Sequence, residues 1–344
     1  FRRPDRLQMR MMPVSLDETI PAGHHVRVLW EVVTRLDLSG FAAGLKVCAG
    51  EAGRSATDVR LLVSLWLYAA TQGVGSAREL ARRCECQDAY RWLCGGVSVN
   101  YHTLSDFRVD HEKALDDLMT EVLTMLMERD LVRVHRSSQD GLRVRASAGK
   151  SSFRREGRLQ SLLEQAQTQV AALKAPREAP ASTDGNARRS AARERAARER
   201  LARVNQALEA LEEVKKVKAR SRDNQRDKRS EPRVSTTDSE ARVMKMPDGG
   251  FRPAYNVQLV ADTESRAIVG VGVTTEGTDK AQSEPLREQV QERTGSTVED
   301  HLMDGGFVKL EQIERAEKAG VKVYAPPQQS GKDADPYRVR ETDS

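Results

Sequence analysis

The spacing of apolar residues changes three times along this chain, and each change limits what the stretch can become. From His25 to about Leu38, the residues Val28, Leu29, Val32, Val33 and Leu36 recur at helical intervals. A second helix is predicted from about Asp58 to Gln72, with Leu61, Leu62, Leu65 and Tyr68 on one face, stopped by Gly73-Val74-Gly75. Ser76 followed by Glu79 reads as a capping box, opening a short helix from Ala77 to near Cys84. Further helices fit Asp88 to Leu93 and Thr103 to Arg129, the second with a break near His111. Residues 25–130 are therefore predicted to be all-helical, after an irregular arm at 1–24. Short helices on tight glycine turns are compatible with a helix-turn-helix DNA reader, but the pattern alone favours a plain bundle.

After Leu131 the period drops to two. Val132, Val134, Leu142, Val144 and Ala146 fall on one set of positions, and Asp140 belongs to the same set. One reading is a strand with Asp140 facing inward. The other is an Asp-Gly hairpin with Asp140 exposed at its tip. From 154 to 232 the helical period returns in a charged segment. One arm, about 156–174, carries Leu159, Leu162, Ala166, Gln169 and Leu173. The other, about 187–219, carries Ala197, Leu201, Val204, Leu208 and Leu211 at alternating four and three, a coiled-coil seam. The link KAPREAPASTDGN lets them fold back as a helical hairpin, and SRDNQRDKRSEP reads as a basic tether.

The rest is β-rich. Pro247-Asp248-Gly249-Gly250 is a turn sequence, so VMKM and FRPAYNVQLVAD make one hairpin. AIVGVGVTT adds a third strand. Thr278-Asp279 is predicted to cap a helix from Lys280 to about Arg293. STVEDHLMD, LEQIERAEKAG and VKVYAPP then read as strand, helix and strand, which implies parallel neighbours with helices on the sheet faces. Asp-Gly-Gly-Phe occurs twice, at Asp248 and at Asp304. The first copy has turn chemistry only. The second ends a strand at the turn into a helix, the edge of an α/β sheet where ligands gather. One carboxylate holds a divalent ion poorly, and Asp140 is the natural partner.

Charge and cysteine content narrow the function classes. The net charge is +5 over 344 residues, but residues 153–233 hold 21 Lys and Arg against 12 Asp and Glu, a net of +9 that leaves the remainder at −4. Within that stripe Arg188, Arg189, Arg193, Arg200, Lys215 and Lys216 are candidates to track phosphates, the plain alternative being a solvated helix face. Cys48, Cys84, Cys86 and Cys94 show neither a secreted disulfide framework nor a complete zinc set, so reduced thiols in a cytoplasmic protein are expected. The longest apolar run, LLVSLWLYAA, is too short to span a bilayer.

The order of these pieces resembles bacterial insertion-sequence transposases of the DDE class, with an InsH-type helical N-terminal domain. The resemblance is carried by LDETIPAGHHVRVLWEVVTRLDLS, HTLSDFR, QDGLRVRASAG, the charged helical insertion, STTDSEARVMKMPDGGFRPAYNVQLVAD, GTDKAQSEPLREQVQERTG and LMDGGF with GVKVYAPP. It implies a ribonuclease-H-like α/β catalytic domain over 131–153 and 233–344, interrupted by a basic helical insertion at 154–232, behind a DNA-binding domain at 25–130. It further implies that Asp140 and Asp304 are catalytic acids holding two magnesium ions, with manganese as a substitute. Ser138 and His135 become candidate supporting groups, the favoured alternative being a merely structural role for both. The implied partners are the terminal repeats of the element and its target DNA, bound by a homodimer on the nucleoid, with no membrane. The family pattern also needs a third acid, a Glu on a helix after the fifth strand. Glu341 sits in a polar, proline-containing stretch and is not assigned that role, so this acid is expected beyond Ser344, making the chain a truncated one. A DNA-binding protein without catalysis is the alternative.

Overall fold

The computed structural model describes residues 13–41, 56–174, 184–220 and 231–326. Cys48, the 175–183 link, most of the basic tether and Glu341 lie outside the described residues. The chain divides into two compact units, Phe1–Met125 and Leu126–Ser344. Among the described residues, no helix is long and apolar enough to cross a membrane.

The first unit is helical: α1 (His25–Arg35), α2 (Val59–Thr71), α3 (Ala77–Cys86), α4 (Asp88–Cys94), α5 (Tyr101–Asp110) and α6 (Glu112–Glu128). Side-chain caps start most of them. Asp58 accepts from the Arg60 N–H at 2.8 Å, and Asn100 from the Thr103 N–H at 2.9 Å. Ser76 accepts from the Glu79 N–H at 3.5 Å, but the Glu79 carboxylate turns to Arg82 and Arg83, so only half of the expected capping box forms. α2 is the central helix. Leu61 through Leu65 are all buried, so it is covered on more than the single face its spacing implied. The expected break falls at His111, whose ring packs against Phe107 and Phe41.

The second unit is built on a mixed sheet. Its strands are β1 (Arg136–Arg145), β4 (Arg242–Lys245), β5 (Phe251–Asp262), β6 (Ile268–Thr274), β7 (Asp300–Met303) and β8 (Lys322–Tyr324). The order is β4-β5-β1-β7-β8, with β6 beside β4 on the same edge of β5. β5 runs antiparallel to β1 and β6, whereas β1, β7 and β8 are parallel. Two helices, α9 (Ser283–Thr294) and α10 (Leu310–Lys318), cover one face. Gly272, in register with Gln258, makes room for α9: a Cβ there would come within 3.0 Å of Leu286 Cδ1.

Between β1 and β5 the chain makes a helical hairpin of α7 (Glu156–Lys174) and α8 (Asp184–Arg220). Lys215 reaches Glu156 at 2.8 Å, joining the end of α8 to the start of α7, so the helices run antiparallel. Leu159, Ala166 and Val170 meet Ala197, Val204, Ala207 and Leu211 in the seam. A two-stranded ladder, β2 (Phe153–Arg154) with β3 (Val234–Ser235), closes its base, where Val234 packs on Leu159 and Leu211.

Candidate active site

β1 is one continuous strand through Asp140-Gly141, so the hairpin reading of that dipeptide is wrong. The inward reading of Asp140 is wrong too. The set holding Leu142 and Val144 faces away from α9 and α10, leaving these two residues 44% and 42% exposed, and Asp140 is exposed with them. The opposite set, Ser137, Gln139, Gly141 and Arg143, faces the helices. Val134 marks the change of phase: it is buried as expected, but its left-handed backbone, φ 54°, turns the chain before the strand begins.

Polar residues occupy the covered face because each finds a partner there. Gln139 Nε2 donates to Gln258 Oε1 at 3.2 Å and to the Gln282 carbonyl at 3.0 Å. Asp279 is the hub. It accepts from Gln258 at 2.7 Å and Asn256 at 2.8 Å, and pairs with Arg143 at 3.0 Å. Burial raises the Asp279 pKa, but hydrogen bonds from Arg143, Asn256 and Gln258 outweigh it and hold the carboxyl below its ordinary value. Gly141 lies directly over this cluster. A Cβ there would fall 2.5 Å from Gln258 Nε2 and 2.6 Å from Asp279 Oδ1, so any larger residue would displace the tips of these two side chains. Asp279 is therefore not the expected helix cap, and α9 starts at Ser283 rather than Lys280. A sequence signal for the cluster existed: Asn256 and Gln258 stand at alternate places in β5, where a core strand would carry apolar residues.

This support fixes the strand that carries Asp140 beside the strand that ends at Asp304. β1 and β7 pair in parallel from Arg136 with Asp300 to Gln139 with Met303. Asp140 is the next residue of β1 and Asp304 the first residue past β7, and both are exposed. Among the described residues, Asp140 Oδ1 accepts only its neighbour's N–H, that of Gly141 at 2.7 Å. Asp304 Oδ1 accepts from Gly306 N–H at 3.4 Å, capping the short 3-10 turn Gly305–Phe307. Neither carboxylate has an ion pair among the described residues, so most of their oxygen lone pairs remain open. No group of three or more His, Cys, Asp or Glu able to hold a metal ion occurs among the described residues.

The other candidates separate by environment. Asp248 sits in the β4–β5 hairpin turn, accepts from Gly250 N–H at 3.0 Å and pairs with Arg252. Ser138 is half-buried on the open face, in register with Leu302. His135 precedes β1, at the end of the pairing away from Asp140, with a ring nitrogen 3.3 Å from Glu299. Along α8, Arg189, Arg193 and Arg200 are exposed, and the side chain of Arg188 lies outside the described residues. Lys215 and Lys216 are engaged by Glu156, Glu212 and Glu213, which weakens them as phosphate contacts. Cys84, Cys86 and Cys94 are free thiols.

Among curated proteins, none matches the chain. Residues 14–110, the stretch from just before α1 to the last residue of α5, match the family model described as "Transposase domain (DUF772)", and this match supports a transposase family for the chain.

Proposed function

We propose that the chain is a DNA transposase of the DDE type, and that Asp140 and Asp304 are two of its catalytic carboxylates. The observation that carries this reading is their juxtaposition. They stand one residue past the last paired residues of two parallel neighbours, in a chain whose residues 14–110 match a transposase domain. Sheet order supports a ribonuclease-H-like catalytic unit. Taken in chain order, β1, β5, β6, β7 and β8 lie 3-2-1-4-5, with only the second strand antiparallel to the first among its direct neighbours. The α7–α8 hairpin is then an insertion between the first and second strands.

The reaction class is strand cleavage and strand transfer at the ends of a DNA element, by two copies of the chain bringing two ends together. Phosphoryl transfer asks a protein chiefly for positioning and charge neutralisation. The two acids fit a hard divalent ion: their ligand atoms are oxygens, they are exposed, and no cation of the described residues competes for them. Asp140 and Asp304 would hold magnesium or manganese, which would supply charge to offset the phosphate and to acidify a water. The chain's own part is rigidity. Gln139, just before Asp140, is held from beneath by Gln258, and Gly141, just after it, lies over Gln258 and Asp279.

Two measurements test the reading. A duplex carrying the ends of the element that encodes the chain is incubated with the protein and Mg2+, and bound Mn2+ is counted separately by electron paramagnetic resonance. Asp140→Asn and Asp304→Asn should each slow strand cleavage by on the order of a hundredfold or more and lower Mn2+ occupancy, with duplex binding retained. Unchanged cleavage and Mn2+ occupancy in either variant would sink the assignment of that residue.

A further inference from the structure

The described arginines of the first unit differ in what they touch: Arg60 is exposed on α2, and Arg27, besides its carboxylate, lies 5.1 Å from the ring centre of Trp92. Arg27, Arg35 and Arg91 hold Asp17, Glu31 and Asp88, while Arg82 and Arg83 share Glu79. Arg78 and Arg108 hold no carboxylate among the described residues. Each lies instead over an aromatic ring: Arg78 is 5.2 Å from the ring centre of Tyr101, and Arg108 is 3.8 Å from that of Trp66. The Trp66 ring is itself tied to α5, its indole N–H donating to the Leu104 carbonyl at 3.0 Å. A ring face steadies a guanidinium without neutralising it and leaves its N–H fork free for a second partner.

Both contacts converge on α5. Tyr101 is its first residue and Arg108 lies two turns on. Leu104 and Phe107 face the core. At helical spacing, Tyr101, Ser105 and Arg108 form one row on the flank of that buried stripe, with His102 and Val109 next to it. The His102 ring is 4.0 Å from that of Tyr101, and Val109 is 74% exposed. The acids of the helix, Asp106 and Asp110, lie further round. A ten-residue helix whose flank carries the half-buried hydroxyls of Tyr101 and Ser105 beside the exposed His102 imidazole and an exposed Arg108 guanidinium with no carboxylate among the described residues matches the donor-rich surface that reads a DNA major groove.

We propose that α5 is the element that enters the DNA groove, Arg108 addressing base edges and Arg78 the adjoining phosphates. This rests on the transposase reading and names the surface that reading leaves open. The stretch matched to the transposase domain ends on the last residue of α5.

The test uses the full chain and a fluorescent duplex enriched from a randomised pool by the unaltered protein, with binding followed by anisotropy across a salt series. Arg78→Gln and Arg108→Gln should each weaken binding roughly tenfold, and Arg78→Gln should flatten the salt slope by about one. Arg108→Lys should keep the slope and lose preference for the enriched sequence. Arg35→Gln, which breaks only the pair with Glu31, should bind as the unaltered chain does. Full affinity in both Arg78→Gln and Arg108→Gln overturns the proposal. So does a loss that appears only with a lowered melting temperature, or competition by polyglutamate equal to that by unlabelled duplex, which would assign the arginines to an acidic protein partner. If the unaltered chain enriches no duplex, the transposase reading fails as well. Binding that the α5 variants leave intact sinks the α5 assignment alone.

Discussion

His301 is buried on β7 in register with Ser137, whose hydroxyl lies 2.8 Å from His301 Nδ1. Burial, with a smaller push from Arg287, lowers the imidazole pKa from 6.5 to about 4. The unfolded chain therefore takes up this proton first as the solution is acidified. The stabilisation from neutral His301 is complete above pH 6.5 and is lost as pH falls from there to about 4, an effect of about 3 kcal/mol at most. Urea unfolding at pH 7 and pH 4.5 should show that loss, and His301→Gln should remove most of it. Equal stability at the two pH values in the unaltered chain would show that His301 is not the titrating group. Single residues were also where sequence reading was most uneven. The place of Asp304 at a strand end was legible because an apolar strand precedes it and a glycine turn follows. Asp248 was legible as a turn because Pro247 precedes it. Asp279 was not, because its partners Arg143, Asn256 and Gln258 come from two strands far away in the chain, and its local context is that of a helix cap.

Elements were legible wherever a local rule sufficed. The helices of the first unit start and stop close to their caps and glycines. β1 was recognised as alternating, yet its inward side was misjudged, because which side of a strand is buried depends on what covers it. Here α9 and α10 lie over the polar side. The hairpin seam shows the same limit on a smaller scale: Leu159 and Ala166 are buried as expected, but Val170 fills the place given to Gln169. Leu159 has no exposed surface and packs on Leu211 and Val234 at the hairpin base. Leu159→Ala should cost about 2–5 kcal/mol, the usual range for a buried leucine. Denaturation followed by circular dichroism at 222 nm would measure it, and a loss under about 1 kcal/mol would mean that the base of the hairpin can collapse around the gap.

At the scale of the whole molecule, the order of helices first and sheet strands later followed from the change of apolar period alone. The sheet order did not, because strand neighbours are chosen by long-range pairing. The three tryptophans, Trp30, Trp66 and Trp92, all lie in the first unit, so their fluorescence reports on that unit only. Circular dichroism reports on both. Urea curves from the two signals should have different midpoints, as expected when separate units unfold separately. Coincident curves would show a single cooperative transition. The hairpin inserted between β1 and β5 has a further consequence for how the protein is made. Gln139 is 119 residues from its partner Gln258, and Ser137 is 164 residues from His301. At roughly 5–20 residues per second, a ribosome releases β1 about 6–24 s before β5 and about 8–33 s before β7. Throughout that interval a strand with polar groups on one side and Leu142 and Val144 on the other has no sheet to join. The α7–α8 hairpin, whose contacts are local to its own segment, has time to form while β1 waits.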